Sequence, residues 1–234
     1  MKNNLKKLIL SLAFLPLIAL AGEEAITVSA PIDPSDQASL QRGARTFVNN
    51  CLNCHGANYM RYNRLQDIGL TEKQIKDNLL FAGEKVGDTM KVAMNPKDAK
   101  KWFGVAPPDL SVLVRARGAD WVYAYLRGFY RDDTTPTGWN NIVFDKVAMP
   151  HVLYELQGEQ VLNHETHQLE VTKPGRMNPE EYNAFVADLT NYMTFMAEPA
   201  KQHLKCIGLW VLLFLGVLLV LAIKLKKAYW KDIK

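Results

Sequence analysis

Two long apolar runs mark the ends of the chain, and shorter apolar patterns with helical spacing lie between them. The run near the C-terminus, CIGLWVLLFLGVLLVLAI, extends from Cys206 to Ile223 and has 18 residues without a charge. At a rise of about 1.5 Å per residue it is about 27 Å long, close to the thickness of a bilayer's hydrocarbon core. Because the segment is apolar on every face, it predicts a transmembrane helix rather than a buried helix of a soluble protein.

The run near the N-terminus predicts a signal peptide over residues 1–21. MKNNLKK supplies a positive start, LILSLAFLPLIAL is an apolar segment of 13 residues, and Ala19-Leu20-Ala21 gives a small-x-small cleavage pattern. The first arginine of the chain is Arg42, whereas a mitochondrial transit peptide is rich in arginine, so the pattern indicates bacterial export. An uncleaved anchor helix is the alternative, which the shortness of the apolar segment disfavours.

Helical periodicity predicts four helical regions between the two runs. They cover residues 36–50, 71–80, 111–130 and 179–198, and the third region is broken into two short helices at Gly118. The last region has the clearest ends, because an asparagine and a proline suit its first turn and a second proline follows its last residue.

The segments between the helices are rich in glycine, proline and polar residues. Residues 83–111 and 131–178 are therefore predicted to be mostly loop, and Pro96 is expected to interrupt regular structure. The sequence contains no convincing strand pair. The fold class predicted from these patterns is mainly α, with one exported domain over residues 22–205 and an anchor over residues 206–223.

Composition and charge narrow the function without deciding it. The chain is 48% apolar and 22% charged, as globular proteins are, and its formal charge is +4. Residues 1–21 carry +3 and residues 224–234 carry +4, which leaves −3 for residues 22–205. No basic face of the domain needs a nucleic acid to explain it, so this class of partner is excluded. The lysines after the apolar run predict a cytoplasmic tail over residues 224–234 and a periplasmic domain.

One motif carries chemistry. Cys51-Leu52-Asn53-Cys54-His55 is a C-x-x-C-H sequence, the attachment signature of haem c. Two thiols one helical turn apart can each add to a haem vinyl group, and the adjacent histidine then faces the iron from the same side. The sequence therefore predicts one covalently attached haem c, held by Cys51 and Cys54 with His55 as an axial ligand.

Three other uses of the cysteine pair are weaker. A thioredoxin-like redox pair needs a βαβ context, whereas a helix precedes this motif. A zinc site needs four ligands, and His164 and His167 are the spaced pair that could complete one. A disulfide across a gap of two residues is rarer still.

The second axial ligand is not fixed by the residues alone. A methionine would raise the haem potential and fill the coordination site, which suits electron transfer. Met94 and Met149 lie in nearly the same local sequence, Val-Ala-Met-Asn-Pro and Val-Ala-Met-Pro. A proline directly after the methionine stiffens the loop, so local chemistry favours Met149 over Met94. His151 is a further alternative.

Several motifs, taken in order, resemble the cytochrome c1 family, the haem-bearing subunits of ubiquinol–cytochrome c reductase (the cytochrome bc1 complex). The resemblance covers residues 36–234, and its APPDLS and AMP blocks are more specific than the haem motif. The matching segments are Arg42-Gly43, C-x-x-C-H at 51–55, Tyr62 and Leu65, APPDLS at 106–111, VRAR at 114–117, AMP at 148–150 and AEP at 197–199.

The resemblance implies a cytochrome c-like helical haem domain with loop insertions and one C-terminal transmembrane helix. It implies that His55 and Met149 are the two axial ligands of the haem iron. It also implies that Arg117 reaches a haem propionate, with Trp121 at the same edge. Pro107 and Pro108 are implied to pack near the histidine side of the haem.

The function implied by the resemblance is an electron relay without bond-making catalysis of its own. Its partners would be the cytochrome b subunit, the Rieske iron–sulfur protein, a soluble c-type cytochrome and the lipid of the bacterial inner membrane. The chain lacks the long acidic stretch of mitochondrial relatives, so the docking surface for the soluble cytochrome is an open question. The alternatives are an anchored c-type cytochrome that feeds a terminal oxidase and a haem-based sensor with an open sixth position.

Overall fold

The computed structural model describes residues 28–92, 94–163 and 165–231. The side chains of residues 202, 203, 205 and 206 lie outside this description. The predicted signal peptide, residues 1–21, also lies outside the described residues.

The described chain is mainly helical, as the sequence predicts, with short strands between the helices. The helices are α1 (Gln37–Thr46), α2 (Glu72–Asn78), α3 (Pro96–Phe103), α4 (Leu113–Arg117), α5 (Ala119–Arg127), α6 (Tyr154–Gln157), α7 (Pro179–Ala197) and α8 (Lys201–Tyr229). A π-helical turn at Phe47–Cys51 continues α1, and a 3-10 helix occupies Tyr62–Ile68. The strands are β1 (Ala57–Arg61), β2 (Thr89–Met90), β3 (Phe129–Arg131), β4 (Trp139–Asn141), β5 (Gly158–Asn163) and β6 (Gln168–Pro174).

The centre of the domain is the crossing of α1 and α7. Gly43 lies at the closest approach, where a Cβ atom would stand 2.1 Å from the carbonyl oxygen of Asp188 and 2.6 Å from Cβ of Tyr192. The Arg42 guanidinium donates two hydrogen bonds of 2.6 and 2.9 Å to the Asp188 carboxylate beside the crossing. The ring of Phe47 packs on that of Tyr192 at 5.6 Å between centroids. The glycine therefore lets two backbones meet where larger residues would separate them.

The predicted ends of the long helix are confirmed. The Asn178 side chain accepts a hydrogen bond from the Glu181 amide, and the Glu181 carboxylate accepts one from the Asn178 amide, which forms a capping box. Pro179 takes the first turn, and the helix ends at Ala197. The predicted break in the third helical region is also confirmed, because Gly118 separates α4 from α5 with a φ of +91° that favours glycine.

The prediction that the chain has no strand pair is wrong. Three antiparallel pairs form, β1 with β2, β3 with β4, and β5 with β6. Periodicity missed them because β2, β3 and β4 have two or three residues and β6 is almost wholly exposed. None of these strands is long enough, or buried enough on one face, to alternate apolar and polar positions clearly.

The expectation that Pro96 interrupts regular structure is also wrong. Pro96 is the first residue of α3, with Asn95 as its N-cap and the Asn95 side chain accepting from the Lys97 amide at 2.9 Å. A proline lacks an amide hydrogen and has a fixed φ, and both properties suit the first turn of a helix. The loop predicted over residues 83–111 therefore contains a helix of eight residues.

Helix α8 fits the predicted membrane anchor. Within the described residues, Ile207–Tyr229 is the one helical segment long and apolar enough to cross a bilayer, and none of its central window is buried by the rest of the molecule. The apolar side chains of this helix are exposed, with Trp210 at 69% and Leu212 at 68%. The helix presents this surface to a lipid environment.

Candidate haem site

The C-x-x-C-H motif follows directly from the helix that crosses α7. The π-helical turn ends at Cys51, and the amides of Cys54 and His55 donate to the Cys51 carbonyl at 3.1 and 2.8 Å. This hydrogen-bonded turn holds the two thiols and the imidazole on one side of the backbone. Single π-helical turns often occur at functional sites because they re-aim the residues that follow.

The orientation of His55 is set by the segment that contains the two prolines. The His55 Nδ1–H donates to the Pro108 carbonyl oxygen at 2.8 Å, since a carbonyl can only accept. This bond leaves Nε2 as the nitrogen with a free lone pair, which is the form that ligates a metal. Burial lowers the pKa of His55, so the imidazole is favoured in its neutral, ligating state.

Asp109 stabilises the same segment from its outer side. Its carboxylate accepts hydrogen bonds from the Asn58 amide at 2.8 Å and from the Ser111 amide at 2.9 Å. These bonds join the segment to β1, which follows the haem motif. The Leu110 amide adds a bond of 2.8 Å to the Gly56 carbonyl. The motif and the APPDLS segment therefore form one rigid wall.

The motif opens onto a cavity of about 320 Å³. Its wall is almost wholly apolar and comes from five parts of the chain. The lining residues that the sequence analysis proposed are Cys51, Cys54, His55, Pro107, Pro108, Arg117, Trp121 and Met149. The structure thus brings all eight proposed site residues to one cavity.

Sequence analysis missed several other lining residues. Leu189 and Met193 come from α7, where their helical spacing indicated only core packing. Phe144 and Val105 come from loops and are 47% and 52% exposed. No local pattern marks these positions, because their place on the cavity depends on the tertiary fold.

One wall of the cavity belongs to a stack of side chains spaced four residues apart, of which Arg117, Trp121 and Tyr125 line the cavity. Arg117 lies 5.3 Å over the ring of Trp121, Trp121 stacks on Tyr125 at 4.9 Å, and Tyr125 meets Phe129 edge-on at 5.1 Å. Trp121 and Tyr125 lie one turn apart on α5, whereas Arg117 belongs to α4, beyond the break at Gly118, and Phe129 belongs to β3.

Met149 faces this wall. The hydroxyl of Tyr125 donates to the Met149 sulfur at 3.5 Å. Within the described part of the chain, Met149 and Met193 line the cavity, whereas Met94 does not. The structure thus separates two methionines that share nearly the same local sequence.

His151, the alternative ligand, is not among the residues that line the cavity. It is 2% exposed, and its ring stacks on Phe129 at 4.8 Å and lies edge-on to Trp139 at 5.0 Å. Its Nε2 has no hydrogen-bond partner in the described chain, and burial lowers the pKa of His151 to about 4. The imidazole serves here as a neutral ring in the packing behind the Met149 loop.

The donor set at the cavity fits a haem c. Cys51 and Cys54 are free thiols at the cavity, and burial raises the pKa of Cys51 to about 12, which favours its protonated form. His164 lies outside the described residues, and within them no group of three or more His, Cys, Asp or Glu side chains could hold a metal ion.

The thiols, the oriented imidazole, the apolar cavity and the one candidate membrane helix of the described residues define the class: a membrane-anchored c-type cytochrome. A family model described as "Cytochrome C1 family" matches residues 27–233. The chain belongs to the cytochrome c1 family.

Individual relatives support this assignment over nearly the full length. A cytochrome c1 of Allochromatium vinosum is 48% identical, with 98% of this chain and all of that protein covered. A Nitrosomonas europaea protein described as "Ammonia monooxygenase gamma subunit" is 55% identical, with 98% of each chain covered. The mitochondrial cytochrome c1 of Saccharomyces cerevisiae is 25% identical over 88% of this chain and 71% of that protein.

Family membership decides the general function. The chain is an electron-transfer subunit of a cytochrome bc1 complex and carries a covalently attached haem c. The alternative of a separate cytochrome that feeds a terminal oxidase is not favoured, because the family model matches from the start of the haem domain through the anchor.

Proposed function

We propose that this subunit accepts one electron at a time from the Rieske iron–sulfur protein and gives it to a soluble c-type cytochrome. The single observation that carries the site assignment is the convergence of Cys51, Cys54, His55 and Met149 on one apolar cavity. When bound there, the haem supplies a one-electron redox centre. The chain would contribute the two thiols that attach the haem, the two residues that ligate its iron and the apolar surroundings.

Each residue of the cavity has a separate task in this proposal. Cys51 and Cys54 would hold the haem by thioether bonds. His55 would offer Nε2 to the iron because Nδ1 is bonded to Pro108, and Met149 would offer its sulfur. Arg117 supplies positive charge for a propionate.

The apolar wall has an electrostatic consequence. Water is largely excluded from a cavity lined by side chains such as Leu110, Val122 and Leu153. A ferric haem carries one more positive charge than a ferrous haem, so a poorly solvating wall disfavours the ferric state. Together with His/Met ligation this favours a comparatively high reduction potential, as an acceptor of electrons from quinol oxidation requires.

We also propose that the haem domain lies in the periplasm and that the chain ends in the cytoplasm. The lysines at 224, 226 and 227 directly follow the apolar core of α8, and such clusters stay on the cytoplasmic side. Covalent attachment of the cofactor suits a domain exported by the predicted signal peptide. The anchor would pack beside the cytochrome b subunit.

Quinol-driven reduction in native membranes tests the proposal. Quinol is added with and without an inhibitor of quinol oxidation, and the c-type optical band of this haem is followed. We expect rapid reduction that the inhibitor blocks. A covalent haem that quinol reduces equally well in the presence of the inhibitor, or not at all, would place the protein outside a bc1-type electron path.

A further inference from the structure

We infer that the hydroxyl of Tyr125 tunes the haem through the sulfur of Met149, as a positioning residue that sets how strongly this ligand binds iron. The inference rests on the proposed role of Met149 as an axial ligand. Its direct basis is the hydrogen bond of 3.5 Å from the Tyr125 hydroxyl to the Met149 sulfur, within the range for a bond to sulfur.

The hydroxyl is held at this place from both sides of its ring. Trp121 stacks on the Tyr125 ring at 4.9 Å with an interplanar angle of 12°. Phe129 meets the ring edge-on at 5.1 Å with an angle of 72°. The two contacts leave the ring little freedom to rotate, so its hydroxyl points to one position.

The backbone of Tyr125 is fixed as well. Its carbonyl accepts a hydrogen bond of 2.8 Å from the Asn141 side chain. Asn141 is 1% exposed and belongs to β4, from which the chain leads to the loop of Met149. Asn141 therefore supports both the helix that carries the Tyr125 hydroxyl and the part of the chain that leads to the Met149 sulfur.

The direction of the effect follows from the chemistry of the sulfur. A donated hydrogen bond withdraws electron density from the sulfur lone pairs. The sulfur then gives less density to ferric iron, which needs it more than ferrous iron does. The Tyr125 hydroxyl thus raises the reduction potential and makes the ferric iron–sulfur bond easier to displace.

The size of the effect is bounded by one neutral hydrogen bond. Such a bond contributes about 1 kcal/mol, which is about a fivefold change in an equilibrium. The hydrogen bond changes the potential only by the difference between its strength in the ferric state and its strength in the ferrous state. A fivefold change is therefore an upper limit. At 59 mV per tenfold for one electron, this limit is about 40 mV.

The test compares Tyr125→Phe with Tyr182→Phe in the full-length, haem-loaded protein. Tyr182 also donates a buried hydroxyl bond, 2.9 Å to the Leu126 carbonyl, but is not among the residues that line the cavity. Phenylalanine keeps the ring in both variants, so the stack around position 125 remains. Haem staining after denaturation confirms that each variant is loaded.

Three readouts separate the inference from a structural role. In Tyr125→Phe we expect a lower midpoint potential, imidazole binding to the ferric haem weakened up to about fivefold, and a retained methionine–iron charge-transfer band. Tyr182→Phe should leave all three unchanged while it lowers stability to a similar degree. An unchanged or raised potential in Tyr125→Phe, or an equal fall in Tyr182→Phe, would overturn the inference.

The ligand assignment fails in a different way. If Met149→Leu retains the charge-transfer band, Met149 is not the ligand, and the inference is overturned at its premise. Loss of quinol-driven reduction in the unmodified protein would contradict the proposed electron path and leave the effect of Tyr125 on the haem measurable by titration.

Discussion

At the scale of single residues, each proposed iron ligand is oriented by a hydrogen-bond partner that is distant in the sequence. His55 is oriented by a carbonyl of the APPDLS segment, and Met149 by a hydroxyl on α5. Neither partner lies within twenty residues of its ligand in the sequence. The proposed ligand pair therefore depends on the tertiary fold, although the haem motif itself is local.

Replacing Met149 tests the ligand assignment against a matched control. Met149→Leu removes the sulfur but nearly conserves side-chain volume. We expect loss of the methionine–iron charge-transfer band and a potential lowered by more than about 59 mV, a tenfold change in the redox equilibrium. Met193→Leu makes the same change elsewhere on the cavity wall and should leave the band in place. Redox titration with optical detection measures both, and the reverse pattern would assign the ligand to Met193.

How much of the site was predictable differs between these residues. Cys51, Cys54 and His55 could be predicted directly, because they form a contiguous motif whose spacing is the one that attaches haem c. Met149 and Met94 could be ranked only weakly from the sequence, because nearly identical flanking residues surround both. Their separation needs the path of the chain from α5 through β4, which no local pattern encodes.

At the scale of elements, the crossing of α1 and α7 depends on a missing side chain. A methyl group at position 43 would meet the Asp188 carbonyl and the Tyr192 side chain, and both belong to a rigid helix. Because the Asp188 carbonyl and the Tyr192 Cβ cannot move independently of α7, the two helices would have to move apart. The haem motif continues from α1, so this movement would also displace Cys51.

Gly43→Ala is therefore expected to destabilise the domain by about 2–3 kcal/mol, the cost of overpacking a core. Without this overlap, alanine would stabilise a helix interior by up to about 1 kcal/mol relative to glycine. A loss of stability therefore indicates the close crossing. Denaturant unfolding in detergent, followed by the haem band, measures it. Gly87→Ala is the control, because a Cβ there meets nothing within 4 Å and should change stability by less than about 0.5 kcal/mol. A stabilised Gly43→Ala variant would contradict the crossing.

The predictability of elements follows their length and capping. Helix α7 carries a capping box and four turns of apolar spacing, and its bounds were predicted within one residue. Helix α3 has eight residues with only Ala99 buried, and its initial proline resembled a loop signal. The hairpin of β5 and β6 was missed because β6 is almost wholly exposed and the two buried residues of β5, Gly158 and Gln160, are not apolar side chains that mark a strand.

At the scale of the whole molecule, the exposed apolar surface of α8 requires a bilayer. A lysine at the centre of a membrane helix costs about 2.5–3.5 kcal/mol, whereas one near the end reaches the interface with its long side chain. Phe214 and Leu218 are central and one turn apart, while Leu225 and Tyr229 lie beside the terminal lysines. The position of a charge along this helix should therefore decide its effect.

Two double variants test this expectation. Phe214→Lys with Leu218→Lys should cost about 5–7 kcal/mol of insertion free energy and release much of the protein from the membrane. Leu225→Lys with Tyr229→Lys adds the same charge and should leave the protein integrated. Resistance of each variant to alkaline carbonate extraction is the measurement. Equal resistance would show that α8 is not inserted along its apolar stretch.

The short connection between α7 and α8 limits how far the cavity can move. Between Met193 on the cavity wall and Ile207 at the start of the apolar span, ten residue-to-residue steps lie within helices and have the helical rise. About four further steps cross the three residues between α7 and α8 and can be at most fully extended. This path is at most about 30 Å long. The haem site therefore stays within a short distance of the bilayer surface. The rate at which it meets a second protein is then set by the diffusion of that protein and not by movement of the haem domain.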